Sequence, residues 1–178
     1  MEAYLSESHP PMRIIRIIGV LFGIAMLPAL PLQAYTVSFI VVEAGLPQEY
    51  PTAEASMLWE NGLLDVFFDA GHIVSNARIA RILGDLDAGG LPQGIQGEYN
   101  EAAAGGAQFF ILVLLDYTGS RNMIPRPQEI SIRLFGANPY RYFLEQKYPG
   151  GRASPVADEL IAAKDAARRL VPRISQTR

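Results

Sequence analysis

The run Phe109–Leu115 (FFILVLL) limits this chain more than any other feature. Every position carries a large apolar side chain, so no face of the segment is suited to water. It follows the glycine pair Gly105-Gly106 and sits within Ala107–Tyr117, the most apolar stretch beyond the first 34 residues. A short apolar run bounded by turn residues reads as a central strand covered on both faces. Such a strand needs covering layers, and the rest of the chain is read for elements that supply them.

Thr52–Asn76 supplies the first. Ala55, Trp59, Leu63, Val66, Phe67 and Ala70 recur at the helical period, while Glu54, Asn61, Asp65 and Asp69 fall on the other side. Thr52 is placed to cap the helix and Glu54 to meet its positive end. Gly62, inside the helix, costs roughly 1 kcal/mol relative to alanine, which a wide apolar face offsets. Gly71 suits a left-handed stop. His72–Asn76 then reads as a short strand, which makes this stretch an α/β unit.

The remaining elements follow in order. Tyr35–Glu43 reads as a strand with Val37, Phe39 and Val41 on one side and Ile40 and Val42 on the other, and Ala44–Pro51 as a connector. Ala77–Leu83 (ARIARIL) reads as a short amphipathic helix marked by Ile79, Ile82 and Leu83. Gly84–Gly97 reads as a glycine-rich loop, and Glu98–Ala104 as a second short helix. Thr118–Gln128 is a loop. In Glu129–Phe135 the alternation directs Ile130, Ile132 and Leu134 inward and Ser131 and Arg133 outward, predicting a half-exposed strand antiparallel to its predecessor. Tyr140–Lys147 is a further strand, and Tyr148–Gly151 a turn. A last helix is capped by Ser154, opens on Pro155, buries Val156, Leu160, Ala163, Ala167 and Leu170, and stops at Pro172. The fold class is α/β: a single mixed-sheet layer with helices packed on it, in the order β-α-β-α-β-β-(β)-α, after an N-terminal signal helix.

That leader is Met12–Ala34. Arg13 and Arg16 give a basic start, Ile17–Leu30 is apolar and uncharged, Pro31 breaks it, and Leu32-Gln33-Ala34 has the form of a signal-peptidase site. Met12 is an alternative first residue. The competing readings are an uncleaved anchor and a buried helix, and the apolar core is short for a membrane span. The expected division is a signal peptide over residues 1–34, one domain over 35–172 and a flexible tail over 173–178. The expected location is the periplasm or the cell exterior, with membrane contact only if the leader stays attached.

Composition narrows function. With 178 residues, 49% of them hydrophobic, the chain can bury a real core. Its net charge of -3, with no basic stripe, argues against a nucleic-acid partner. It has no cysteine, which removes disulfides, thiolate metal sites, a cysteine nucleophile and a lipoprotein anchor.

Candidate chemistry is sparse. Asp69, His72 and Ser75 make an acid–base set only on paper, because a strand turns Ser75 away from His72. A polar residue at a helix–strand junction is the plainer reading of His72. Asp85 and Asp87 imitate a calcium loop, but Gln96 stands where a glutamate is needed. No catalytic, cofactor or metal residues are assigned. Arg121, Arg126 and Arg133 lie in or beside the loop between the late strands, and read either as contacts for an acidic partner or lipid headgroups or as solvated charges. Tyr140, Tyr142, Phe143 and Tyr148 read either as an exposed interaction surface or as core. The sheet edge beside them is the best candidate for docking.

Two patterns carry a resemblance: Ser56, Glu60, Leu64, Phe67 or Phe68 and Gly71 along the first helix, then Ala102, Gly105, Gly106 and Ala107 before the apolar strand. With an exported first strand and a closing helix, the chain resembles the small periplasmic α/β domain shared by the amino-terminal part of the Tol-Pal translocation protein, the curli-secretion lipoproteins and the lipoprotein activators of penicillin-binding proteins. The resemblance spans most of Tyr35–Val171. It implies a non-catalytic envelope domain that docks on a protein partner or assembles, a homo-oligomer being one form of assembly. The absent lipoprotein cysteine departs from two of these groups. The alternatives are a periplasmic small-ligand carrier or sensor with a cleft near Gly84–Gly97, and a hydrolase-like enzyme using Asp69 and His72.

Overall fold

The structure, a computed structural model, describes residues 34–82, 90–118, 124–150, 155 and 157–176. The leader up to Gln33, Arg121, the Ser154 cap and residues 83–89, with the calcium-like pair, lie outside the described residues.

Phe109–Asp116 is a strand, and each of its residues from Phe109 to Leu115 is buried. It lies in the middle of one mixed sheet. In chain order the elements are β1 (Thr36–Ala44), α1 (Glu54–Asp69), β2 (Ile73–Asn76), β3 (Ala80–Ile82), a 3-10 turn at Gln93–Ile95, α2 (Gln96–Ala104), β4 (Phe109–Asp116), β5 (Glu129–Gly136), β6 (Arg141–Pro149) and α3 (Ala157–Gln176). The sheet runs β2-β1-β4-β5-β6, with β3 following β2 along the same edge of β1. β1 pairs in parallel with β2, β3 and β4; β5 is antiparallel to β4, and β6 to β5.

The alternation of β1 and β4 divides the core into two halves. Val37, Phe39, Val41, Ile111, Val113 and Leu115 meet Trp59, Leu63 and Phe67 of α1 and Ala163, Ala167 and Leu170 of α3. Ile40, Val42, Phe110, Leu112 and Leu114 meet Ile95 and Tyr99 on the opposite face. Burying each large apolar side chain contributes about 1.5–3 kcal/mol, so a strand apolar on both sides is held only when both layers are present.

Gly62 has a sharper role than its helix propensity suggests. A Cβ there would lie 2.6 Å from Ala163 Cβ, so the glycine lets α1 and α3 approach closely. Trp59 Nε1 donates to Glu159 Oε2 at 2.9 Å, and Lys164 Nζ pairs with Asp65 at 2.8 Å, tying the same two helices. Gly71 takes φ +80°, as its place after α1 requires.

Several expectations are corrected. Residues 77–82, the described part of Ala77–Leu83, hold no helix: Ala80–Ile82 is a strand paired with Val42–Ala44. The N-cap of α1 is Ala53, and no side chain caps the helix; Glu43 Oε1 instead accepts from the Ala53 amide at 2.8 Å. Pro172 does not end the last helix, which continues to Gln176 with Ile174 buried in the core. Tyr148 and Pro149 belong to β6 rather than to a turn. Arg133 does not point to water: it is 2% exposed, and β5 is buried from Ile130 to Gly136.

Candidate functional site

Two places in this fold are suited by position to meet another molecule: the carboxyl end of the parallel strands and the open edge of β6. The chain crosses from β1 through α1 to one side and from β3 through α2 to the other, with the two helices on opposite faces. The gap between the ends of β1 and β4 is therefore the topological switch point, where open α/β sheets commonly hold ligands.

Here that gap is occupied by the chain itself. Gly45 has φ +79°, and a Cβ on it would lie 2.7 Å from the Thr118 nitrogen, so the segments leaving β1 and β4 touch. Tyr117, 1% exposed, shares a 2.8 Å hydrogen bond with the Ser56 hydroxyl. Burial pushes the Tyr117 phenol well above its ordinary range, against the opposing bond to Ser56. Glu43, 1% exposed, pairs with Arg81, whose guanidinium also donates to the Pro47, Gln48 and Tyr50 carbonyls at 2.7, 3.0 and 2.9 Å. One buried carboxylate and one arginine thus fix the whole β1–α1 connection. Neither residue stood out in the sequence; the alternation of β1 places Glu43 at the end of a buried strand, which was the available signal.

The edge at β6 is different. β6 pairs with β5 along one side only, and no described strand pairs with its other side. Tyr140 and Tyr142 are 53% and 43% exposed. They are held from beneath. Tyr99 of α2 bonds the Gly136 and Ala137 carbonyls at 3.1 and 2.7 Å, and its ring meets Tyr140 edge-on at 5.5 Å. Phe135 lies 5.9 Å from Tyr140 and 5.5 Å from Tyr142. Phe143 and Tyr148, by contrast, are half-buried against the core on the α1/α3 face. The aromatic group read as one cluster is therefore divided between the two faces of the sheet.

Arg133 supports this edge from inside. Its Nε donates to Glu145 Oε1 of β6 at 2.9 Å and its Nη1 to the Gly90 carbonyl at 2.8 Å. The Ser131 hydroxyl reaches the same carboxylate at 2.5 Å. Burial pushes the Glu145 carboxyl up, but the bonds from Ser131 and Arg133 and the arginine charge outweigh it and hold it below its ordinary range. Arg126 is half-buried in the connection between β4 and β5. Of the three arginines read together in the sequence, Arg133 is buried and Arg126 half-buried, and Arg121 lies outside the described residues.

His72 is 7% exposed between the Tyr35 and Phe67 rings. Its Nδ1 accepts the Tyr35 backbone N–H at 3.3 Å, and its buried Nε2 has no partner among the described residues. Asp69 and Ser75 are exposed, and neither orients the ring. Desolvation lowers the imidazole's pKa from its ordinary 6.5. Among the described residues, no group of three potential metal ligands converges, and no helix is long and apolar enough to cross a membrane.

No protein-family model matches the chain, and no curated protein does. It is similar to several solved structures. A PelC dodecamer from Paraburkholderia phytofirmans is 11% identical over 78% of this chain and 88% of that chain, with a TM-score of 0.45. TolB from Acinetobacter baumannii is 14% identical over 79% of this chain and 28% of that chain, with a TM-score of 0.40. A lipoprotein from Neisseria meningitidis is 8% identical over 78% of this chain and 99% of that chain, with a TM-score of 0.42. The Tol-Pal translocation protein, represented here by TolB, is one of the groups that the sequence pattern resembles.

Proposed function

We propose that this is an exported, non-enzymatic envelope protein, an interaction or assembly domain that docks a protein partner along the open edge of β6. The observation that carries the reading is β6 itself. It is a nine-residue strand that pairs on one side among the described residues, with exposed tyrosines at its start and a part-buried Arg133–Glu145 pair bracing it from β5. An open strand edge offers a row of backbone donors and acceptors to an incoming segment, and neighbouring tyrosines add rigid amphipathic contact area. The contact of Gly45 with Thr118 and the Glu43–Arg81 pair at the switch point, where this kind of sheet commonly holds a ligand, support the non-enzymatic reading. The location is supported by the sequence of Met12–Ala34, which has the form of a leader; its removal after Ala34 would leave Tyr35 as the first residue of a periplasmic or secreted chain.

Expression from the full sequence in a bacterium with two membranes tests this. The chain should be recovered from the periplasmic fraction with a mass that starts at Tyr35. A covalent crosslink to a protein, formed from β6, should appear in the same fraction. An unprocessed cytoplasmic chain, or a purified chain with a hydrolytic activity abolished by His72→Ala, would overturn the reading.

A further inference from the structure

A cavity of about 250 Å³ opens where the end of β6 meets the first turn of α3, lined by Trp59, Ile130, Tyr148, Pro149, Asp158, Glu159 and Ala162. Its walls are of two kinds. Ile130, Pro149 and Ala162 are apolar, and Trp59 and Tyr148 add ring surface. Set among them are two carboxylates and, among the described lining residues, no cationic side chain.

Glu159 is the informative group. It is 4% exposed, yet the bond that holds it is from a neutral donor, Trp59 Nε1 at 2.9 Å. A carboxylate removed from water needs compensation by charge or by several hydrogen bonds. The positive end of α3 supplies part of this, since Glu159 lies in the first turn. That accounts for an acid at this point in the helix. It does not account for the aromatic and aliphatic walls that enclose the acid beside an open volume. Arg169 is engaged with the Tyr148 hydroxyl.

We propose that this cavity is a binding site for an alkylammonium group, the side chain of a lysine on the partner that docks along β6. The ammonium is matched to the Glu159 and Asp158 carboxylates and to the half-buried Tyr148 ring, and its methylene stem to Ile130, Pro149 and Ala162. Tyr148 and Pro149 are the last residues of β6, so the cavity lies at the end of the docking strand. The choice of a protein lysine rather than a free amine rests on that docking reading; the chemistry of the site does not.

The chain has one tryptophan, Trp59, and it lines the site, so its fluorescence reports directly on occupancy. n-Butylammonium chloride, titrated at ionic strength held constant with sodium chloride, should give a saturable change in emission. n-Butanol, its neutral counterpart, should give none. Glu159→Gln, which keeps an acceptor for the indole N–H, should weaken the response by about tenfold or more. An equal response to butanol, or no saturable response to butylammonium, would overturn the proposal on the wild-type chain alone, whatever the stability of the variant. An acetylated lysine-containing tripeptide that binds at least as tightly as butylammonium supports the protein source; a peptide that is excluded while the free amine binds contradicts it. None of these titrations depends on export or on a partner docked along β6, so a failure here leaves the docking reading to its own test.

Discussion

Gly62 shows how a single position can be read correctly for its type and wrongly for its reason. Its helical context and its propensity penalty were both legible in the sequence. Its purpose was not, because the atom that excludes a side chain belongs to Ala163, far along the chain. Gly62→Ala should therefore destabilise the protein by about 1–3 kcal/mol, despite gaining roughly 1 kcal/mol of helix propensity. Urea denaturation would measure this, and the double variant Gly62→Ala/Ala163→Gly should recover part of the loss. His72 makes a second prediction. Its folded pKa lies below 6.5 because burial disfavours the imidazolium, so the unfolded chain binds the proton first. Stability should be fully present above about pH 6.5 and should fall as pH drops from there towards the depressed folded value. In His72→Gln, the difference in urea midpoint between pH 7.5 and pH 5.5 should be smaller than in the wild type. An unchanged difference would mean that carboxylates alone set the acid response.

At the scale of elements, strands and helices with a strong pattern were legible: β1, β4, β5, α1 and α3 all lie where alternation or helical period places them. The segment Ala77–Leu83 was not. Ile79, Ile82 and Leu83 mimic a helical stripe, and over so few residues periodicity cannot separate a helix from a strand. What decides it is distant: a free stretch of β1 edge at Val42–Ala44, and a buried Glu43 that captures Arg81. Arg133 fails for a related reason. Alternation correctly turns it away from Ile132, but a second layer covers that face, and Glu145 and Gly90 take its charge and donors. The Glu43–Arg81 pair gives the prediction at this scale. Arg81→Met leaves Glu43 buried without its cation and should cost about 3 kcal/mol. It should also release the β1–α1 connection, so the Ala53 amide should exchange with deuterium faster while amides in the middle of β4 keep most of their protection.

For the molecule as a whole, the sheet is built so that its ends and its edge differ. At the carboxyl ends of β1 and β4 the chain fills its own switch point, through Gly45 against Thr118, Tyr117 to Ser56 and Arg81 across the connecting loop. At β6, flanked by tyrosines, no described strand pairs with the outer hydrogen-bonding edge. Tyr140 and Tyr142 were picked out in the sequence as an aromatic cluster, but their separation from Phe143 and Tyr148 required the register of β6 on β5, which no local pattern specifies. We propose that the protein acts from this edge and not from the strand ends. Tyr50 and Tyr142 are equally exposed, at 43% each, one in the β1–α1 connection and one on β6. Replacing each in turn by a photocrosslinking phenylalanine analogue and irradiating intact cells compares the two places directly. A discrete protein adduct from position 142, absent or much weaker from position 50, is the predicted result. Adducts from position 50 alone, or equally from both, would contradict it.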